Sequence, residues 1–443
     1  MSNHHIANLI LATTNTKQLE DVSAQLKQNN YTVIECSGDV VDTIAQKNHP
    51  DLILIDVSCD DFDGFEVIKT LKNIADIAHI PIVAISREKS NELYTKSLEH
   101  HVDDIFIYPF DVQEFLLHIQ SLLRLSTMYM ERDNRFKLAR KHGINAQAET
   151  DFDVSAPHQI LLIGPIDGDR AAIETILDGN CNVDICSNVF EAEEQLANGF
   201  YDACICHLDA TNTETVLSLS TRIRNNPRLF NLPVLVLSNG EIEDRIDAYR
   251  RGITRIVKRP LNLSSLKAKL VMLVRRQRLR WNLRNAIETT RDPSNTDAIT
   301  NAYTKDFFNE NLLLQVKNAQ LWKKHHTVIF FSIVNLPSVE EQFGETASQE
   351  LLQQIHQWIT NLSRVEDMVS RYGPHDFCIS LPDTPLEEAQ LVMHRIAGIL
   401  SYTDFALGDV FQPISVWVET GIATLEKSDD MNSLLNRAHH RIQ

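Results

Sequence analysis

The stretch PDLILIDVSCDDFDGFEVIKTLK, Pro50 to Lys72, decides the fold. Leu52 to Ile55 form an unbroken apolar run that ends on a carboxylate, Asp56. A run that short, apolar on both faces, reads as a strand buried on both sides. An acidic turn follows, and GFEVIKTLKNI then spaces its apolar residues as a helix does. Strand, turn and helix make one unit of a parallel sheet covered by helices.

Working outward, LILA, TVIEC, PIVAIS and DIFIYPF supply four more buried strands, with helical patterns such as TKQLEDVSAQLKQ between them. The pattern then repeats. ILLIG, NVDICS, DACICHL, PVLVLS and ITRIVKRPL follow in the same order between Gln159 and Leu263. Two copies of one α/β unit are the simplest account. The remainder is α+β: strand TVIFFSIVNL, helix ETASQELLQQIHQWITNL, a hairpin around RYGPHDFCISLP, helix LEEAQLVMHRIAGIL and strand ISVWVETGIATL. The expected division is 1–127, an α/β domain; 128–157, a helical extension and the polar linker INAQAETDFDVSAP; 158–275, a second α/β domain; 276–296, an arginine-rich helical linker; and 297–443, the α+β domain.

Bulk properties exclude several classes. At 43% hydrophobic and 23% charged, the chain can bury ordinary cores. A formal charge of −18 opposes general nucleic-acid binding. No apolar run approaches the roughly 20 residues needed to span a bilayer. The start MSNHHIANLILATTN lacks a cationic stretch and a cleavage site, so its apolar run reads as a first strand and the cytoplasm is the expected compartment. The seven cysteines are scattered without zinc-ligand spacing, which implies reduced thiols, and Cys204 and Cys206 alternate so as to face one core.

The three blocks resemble a known group. The first two look like receiver domains of bacterial response regulators, and the third looks like the GGDEF domain of diguanylate cyclases. The order is that of response regulators of the PleD and PopA type, and the degenerate third block places the chain on the PopA side. The resemblance implies two doubly wound, flavodoxin-like receivers followed by a GGDEF-type α+β domain. It places Asp56 as the candidate phosphoacceptor. A carboxylate there attacks a phosphoryl donor only with Mg²⁺ neutralising the crowded charge. Receivers hold that ion with an acidic pair after the first strand, where this chain has Thr13 and Thr14. Ser86 fits the hydroxyl switch position, and Tyr108 replaces the lysine expected before Pro109. Asp60, Asp61 and Asp63 lie on a loop and are not assigned the lost role. The expectation is a structural Asp56, with Mg²⁺ relevant only if Asp56 is phosphorylated. In the second block His207 stands at the phosphoacceptor position, and Gly164 and Pro165 replace the acidic pair, which leaves a docking or dimerising module.

A cyclase activates a 3′-hydroxyl and stabilises a reacting triphosphate with two carboxylate-held metal ions. By resemblance one carboxylate belongs at Ser332 in FFSIV. The five-residue signature reads Gly373, Pro374, His375, Asp376 and Phe377, with His375 at the second carboxylate position. Pro374 has neither the N–H nor the backbone freedom of the glycine it replaces. The entry motif appears as DAITNAYTK, keeping Asp297 and Thr300, and the phosphate-binding lysine and arginine of the family have no counterpart before Gln443. No catalytic residue, resident metal or cofactor is expected.

Arg364 and Asp367, by contrast, match the RxxD of the family's allosteric site, and Arg395 on the following helix matches its second arginine. An arginine fork fits the O6 and N7 acceptors of guanine, a carboxylate accepts its N1–H and N2–H₂, and arginine also pairs with phosphate. All three side chains are expected at the surface. The resemblance implies a non-catalytic receptor for cyclic di-GMP, a homodimer through its receivers, and protein partners in cell-cycle proteolysis, a protease adaptor and its substrate, at a cell pole. A weakly active cyclase or other GTP-using enzyme, and a scaffold that no longer binds nucleotide, stay open as alternatives.

Two other features are set aside. RRQRLRWNLR, Arg275 to Arg284, reads as a solvated stalk helix rather than a nucleic-acid patch. The adjacent histidines His4-His5, His100-His101, His325-His326 and His439-His440 point apart on helices and strands alike, so they make poor chelators.

Overall fold

The computed structural model describes residues 4–14, 16–146, 156–226, 228–408 and 410–440. The expected linker residues 147–155 lie outside them. The chain forms two compact units, one of Asn8–Ser126 with Asp151–Asn282, the other of Met1–Ala7, Thr127–Thr150 and Leu283–Gln443.

The first unit holds both α/β domains. β1 (Asn8–Ala12), β2 (Thr32–Cys36), β3 (Leu52–Asp56), β4 (Ile82–Ser86) and β5 (Asp104–Ile107) form a parallel sheet in the order β2-β1-β3-β4-β5. β6 (His158–Ile163), β7 (Cys181–Cys186), β8 (Ala203–Leu208), β9 (Val234–Ser238) and β10 (Arg255–Lys258) repeat it in the order β10-β9-β8-β6-β7. Both are the doubly wound, flavodoxin-like arrangement, whose functional face lies at the carboxyl ends of the strands. β3 and β8 are buried along their whole length, which is why they read as continuous apolar runs. The helix Gly64–Asn73 begins at Asp63, whose carboxylate accepts from the Phe65 and Glu66 N–H groups. Cys204 and Cys206 do share one core.

Polar contacts join the two α/β domains. Glu114 accepts from Arg245 and from the Tyr249 hydroxyl, each at 2.8 Å, and Arg255 reaches His118 and Asp104. The arginine-rich stretch is therefore no solvated stalk. Arg276 donates to Ser121 at 2.6 Å, and Arg278 donates to Asp202 at 2.9 Å and to the carbonyls of Ala156 and Pro157. Both guanidinium groups are buried, since each finds a carboxylate or carbonyl that compensates its desolvation.

The second unit is α+β. β11 (Tyr303–Thr304), β12 (His326–Ile333), β13 (Met368–Arg371), β14 (Asp376–Pro382) and β15 (Val418–Thr424) form a sheet in the order β11-β13-β14-β12-β15, with β12 antiparallel to both neighbours. The helices Glu345–Leu362 and Leu386–Tyr402 cover one core, and Lys305–Trp322 and Met431–His439 another. Residues 128–141, expected as an extension, are the end of a helix, Val112–Lys141, and Leu138 is part of this second core. No helix among the described residues is long and apolar enough to cross a membrane.

Candidate functional site

The RxxD segment is a β-turn. The Asp367 N–H bonds the Arg364 carbonyl at 3.2 Å, and the Asp367 carboxylate accepts from the Arg364 backbone N–H at 2.7 Å. The turn joins the helix Glu345–Leu362 to β13. Asp367 is buried, not on the surface as expected, because its carboxylate ties the turn to itself. Arg364 is partly buried, with its guanidinium 3.6 Å from Glu388 on the helix Leu386–Tyr402. Burial weakens its charge, but Asp367, Glu366 and Glu388 more than offset this and raise its pKa. Arg395 is exposed and donates to the Leu362 carbonyl at 2.8 Å. Burial, then the charge of Arg364, lowers the Arg395 pKa, and Asp367 opposes that. Arg364 and Asp367 thus share one turn, and Arg395 bonds a carbonyl two residues before it.

Sequence reasoning missed a fourth participant. Arg135, on the helix Val112–Lys141, is 2% exposed, and its Nη2 donates to the carbonyls of Asp367 at 2.9 Å, Glu366 at 3.0 Å and Val365 at 3.4 Å. Beside it Glu131 is equally buried and accepts from Gln315 at 2.7 Å. Burial raises the Glu131 pKa, against the pull of Arg135 and its amide donors. Gln315 accepts in turn from Ser380, which bonds His326. The only sequence signal was charge on a helix that was otherwise read as an extension.

The hairpin that carries Gly373 to Phe377 lies at the other end of β13 and β14. Ser332 pairs in register with Asp376 and donates to its carboxylate at 2.6 Å. A Cβ added at Gly373 would lie 2.7 Å from the Asp376 carboxylate, which would have to shift to admit it. Pro374 is exposed, and the backbone carbonyl of His375 accepts from the Ile333 N–H at 2.9 Å. Phe377 is fully buried. Asp297 accepts from the Thr300 N–H and hydroxyl, each at 2.8 Å, and from Arg371 at 3.1 Å. Burial opposes ionisation of Asp297, but these donors outweigh it and hold its pKa below the ordinary carboxylate value. The entry-motif residues thus fold a turn. The side chains of Ser332 and His375, a hydroxyl and an imidazole, do not fit a pair of hard divalent ions.

At the carboxyl end of β3, Asp56 is 2% exposed, and both its oxygens are engaged. Oδ1 accepts from the Ser58 N–H at 3.0 Å, and Oδ2 from Thr13 at 3.1 Å and Arg87 at 3.2 Å. Arg87, which follows Ser86, supplies a cation beside Asp56, a contact the sequence reading did not find. Thr14 bonds Asp61, so that loop carboxylate reaches the pocket mouth, held by a hydroxyl. A Mg²⁺ ion fits poorly where the Arg87 guanidinium already engages Asp56, Thr13 offers a neutral hydroxyl and the Asp61 carboxylate is taken up by Thr14. In the second sheet Cys204 pairs with Val234 and His207 with Leu237, as Ile53 pairs with Ile82 and Asp56 with Ile85. His207 therefore occupies the position equivalent to Asp56. Its Nε2 lies 3.4 Å from Asp209. Among the described residues no cluster of histidine, cysteine and carboxylate side chains could hold a metal.

Residues 10–120 match the family described as response regulator receiver domain, and residues 294–443 that described as diguanylate cyclase, GGDEF domain. The chain is similar to the response regulator PleD of Caulobacter vibrioides, 26% identical over 421 residues, which covers 94% of this chain and 92% of that protein. It is 30% identical over 123 residues to the transcriptional regulator RpaA of Synechocystis sp., 28% of this chain and 48% of that one. Among solved structures it is similar to the GGDEF domain of DgcB from Caulobacter crescentus in complex with c-di-GMP, with a TM-score of 0.33 and 16% identity over 34% of this chain and 86% of that chain. The chain thus carries a receiver domain and a GGDEF domain.

Proposed function

We propose that this GGDEF-type signalling response regulator, related to PleD and to the diguanylate cyclases, binds cyclic di-GMP and does not synthesise it. The observation that carries the reading is the contrast between two ends of one hairpin. At the signature end Ser332 engages Asp376, and the two metal positions hold a hydroxyl and an imidazole. At the turn end Arg364, Asp367 and Arg395 keep the charges that guanine and phosphate require, on a turn fixed by hydrogen bonds. In this reading Arg364 and Arg395 face the ligand, and Asp367 accepts the guanine donors once they displace the Arg364 N–H. The liganded protein then docks protein partners through its receivers, in the manner of an adaptor for regulated proteolysis in the cell cycle.

A second reading has a specific observation in its favour. Because Asp367 already accepts from the Arg364 N–H, the RxxD pattern is also what a structural turn needs, and a scaffold without a nucleotide would keep it. Calorimetry of the purified protein against cyclic di-GMP, GTP and GDP separates the two. The receptor reading expects saturable binding of cyclic di-GMP at one class of site, and no heat beyond dilution supports the scaffold.

A further inference from the structure

We infer that Arg135 is a positioning residue for the RxxD turn, so that a helix outside the GGDEF sequence sets the affinity of the site. The inference rests on the reading of that turn as a cyclic di-GMP site. It starts from an unusual use of a buried charge. Arg135 is 2% exposed, and one nitrogen of its guanidinium is aimed at three successive carbonyls, Val365, Glu366 and Asp367. These belong to the middle and end of the turn whose first residue is Arg364. An arginine taken out of water needs such acceptors, and a turn whose carbonyls all point inward needs such a donor.

The geometry fixes the consequence. With its carbonyls held from behind by Arg135, the turn is pinned at residues 365–367, while the Asp367 carboxylate holds the Arg364 N–H from the other side. Arg135 is itself held. Its guanidinium lies 5.7 Å from the centre of the Tyr303 ring, and Glu131, one helical turn earlier, is anchored by Gln315 and Asn311 of the helix Lys305–Trp322. Thr127, two turns before Arg135, bonds Asp383 at 2.7 Å. These contacts set the register of the helix against the domain, and that register places Arg135 under the turn. Arg135 lies about 230 residues before the turn in the chain, on the helix that starts at Val112 in the first receiver. Any change that withdraws the end of this helix therefore releases the turn without touching the ligand.

The experiment compares full-length Arg135→Ala and Arg135→Lys with Leu434→Ala, a truncation of a buried residue on the helix Met431–His439 chosen to lower the melting temperature from outside residues 364–367. Hydrogen exchange at the Arg364 and Asp367 amides is read without ligand, and cyclic di-GMP affinity is read by calorimetry. The expected result is faster exchange at both amides and at least about tenfold weaker binding in Arg135→Ala. Arg135→Lys should lie between it and the unmodified protein, and Leu434→Ala should bind normally at a comparable melting temperature. Unchanged affinity in Arg135→Ala, equal losses in Leu434→Ala, or weaker binding with unaltered amide exchange would each overturn the inference. If the unmodified protein does not bind cyclic di-GMP, the receptor reading fails instead, and the exchange measurement still decides whether Arg135 sets the turn.

Discussion

Ser332 donates a hydrogen bond of 2.6 Å to Asp376 across paired strands β12 and β14. A carboxylate at Ser332 would instead face Asp376 as a like charge, tolerable only with a cation between them. The hydroxyl settles that contact without one.

The first prediction follows from this pair. Incubated with GTP and Mg²⁺, the protein should form no cyclic di-GMP above a no-enzyme control. Ser332→Asp combined with His375→Glu should not rescue synthesis, because Pro374 still lacks the N–H and freedom of a glycine. Chromatography of the reaction mixture checks both, and turnover by the unmodified protein would refute the non-catalytic reading.

The first receiver should resist phosphorylation. Both oxygens of Asp56 are occupied, one by the Arg87 guanidinium. Acetyl phosphate with Mg²⁺ should therefore leave Asp56 unmodified in intact-protein mass spectrometry. Arg87→Ala strands a buried carboxylate and should cost about 2 kcal/mol or more, whereas Asp56→Asn, which removes the charge, should cost less. Urea unfolding of the two variants provides the comparison.

Asp367 has two separable roles. Asp367→Asn keeps an acceptor for the Arg364 N–H but loses the charge that favours the guanine donors, so it should weaken binding while nearly preserving stability. Asp367→Ala removes the turn bond as well and should destabilise the protein by about 1–2 kcal/mol. Equal unfolding midpoints for the two variants would show that the turn bond contributes nothing.

Stability should fall as pH drops toward 5. Burial pushes the His326 imidazole from 6.5 down to about 4, so the unfolded chain binds a proton in that interval and the folded chain does not. A depressed folded pKa means that the stability present near neutrality is lost between those two values, by about 2 kcal/mol between about pH 7 and pH 5. His326→Asn should reduce that slope in urea titrations at the two pH values. The buried His356, likewise lowered to about 4 by burial, adds a slope of the same sign that the mutation leaves in place.

Much of the fold was legible because buried parallel strands are written as apolar runs. The register that makes His207 the counterpart of Asp56 could be read from the spacing of DLILID and DACICHL alone. The positions of Arg364, Asp367 and Arg395 were legible too, as a turn before a hairpin and a helix after it. What escaped depends on contacts distant in the chain. Arg87 reaches Asp56 across 31 positions, and Arg135 reaches the turn across 231. Neither has a local pattern to mark it. The burial of Asp367 was missed because its carboxylate turns back on its own backbone, a choice that composition cannot reveal.

The most direct test of the receptor reading is the affinity of Arg364→Ala for cyclic di-GMP, by calorimetry, with circular dichroism as the check on folding. Each charge-assisted contact is worth roughly 1.5–3 kcal/mol and a bidentate arginine makes two, so truncation should cost about 3 kcal/mol, on the order of a hundredfold in affinity. Arg395→Ala, exposed and bonded to a carbonyl, should lose less. A folded Arg364→Ala protein that binds cyclic di-GMP as tightly as the unmodified chain would contradict the account and place the ligand elsewhere.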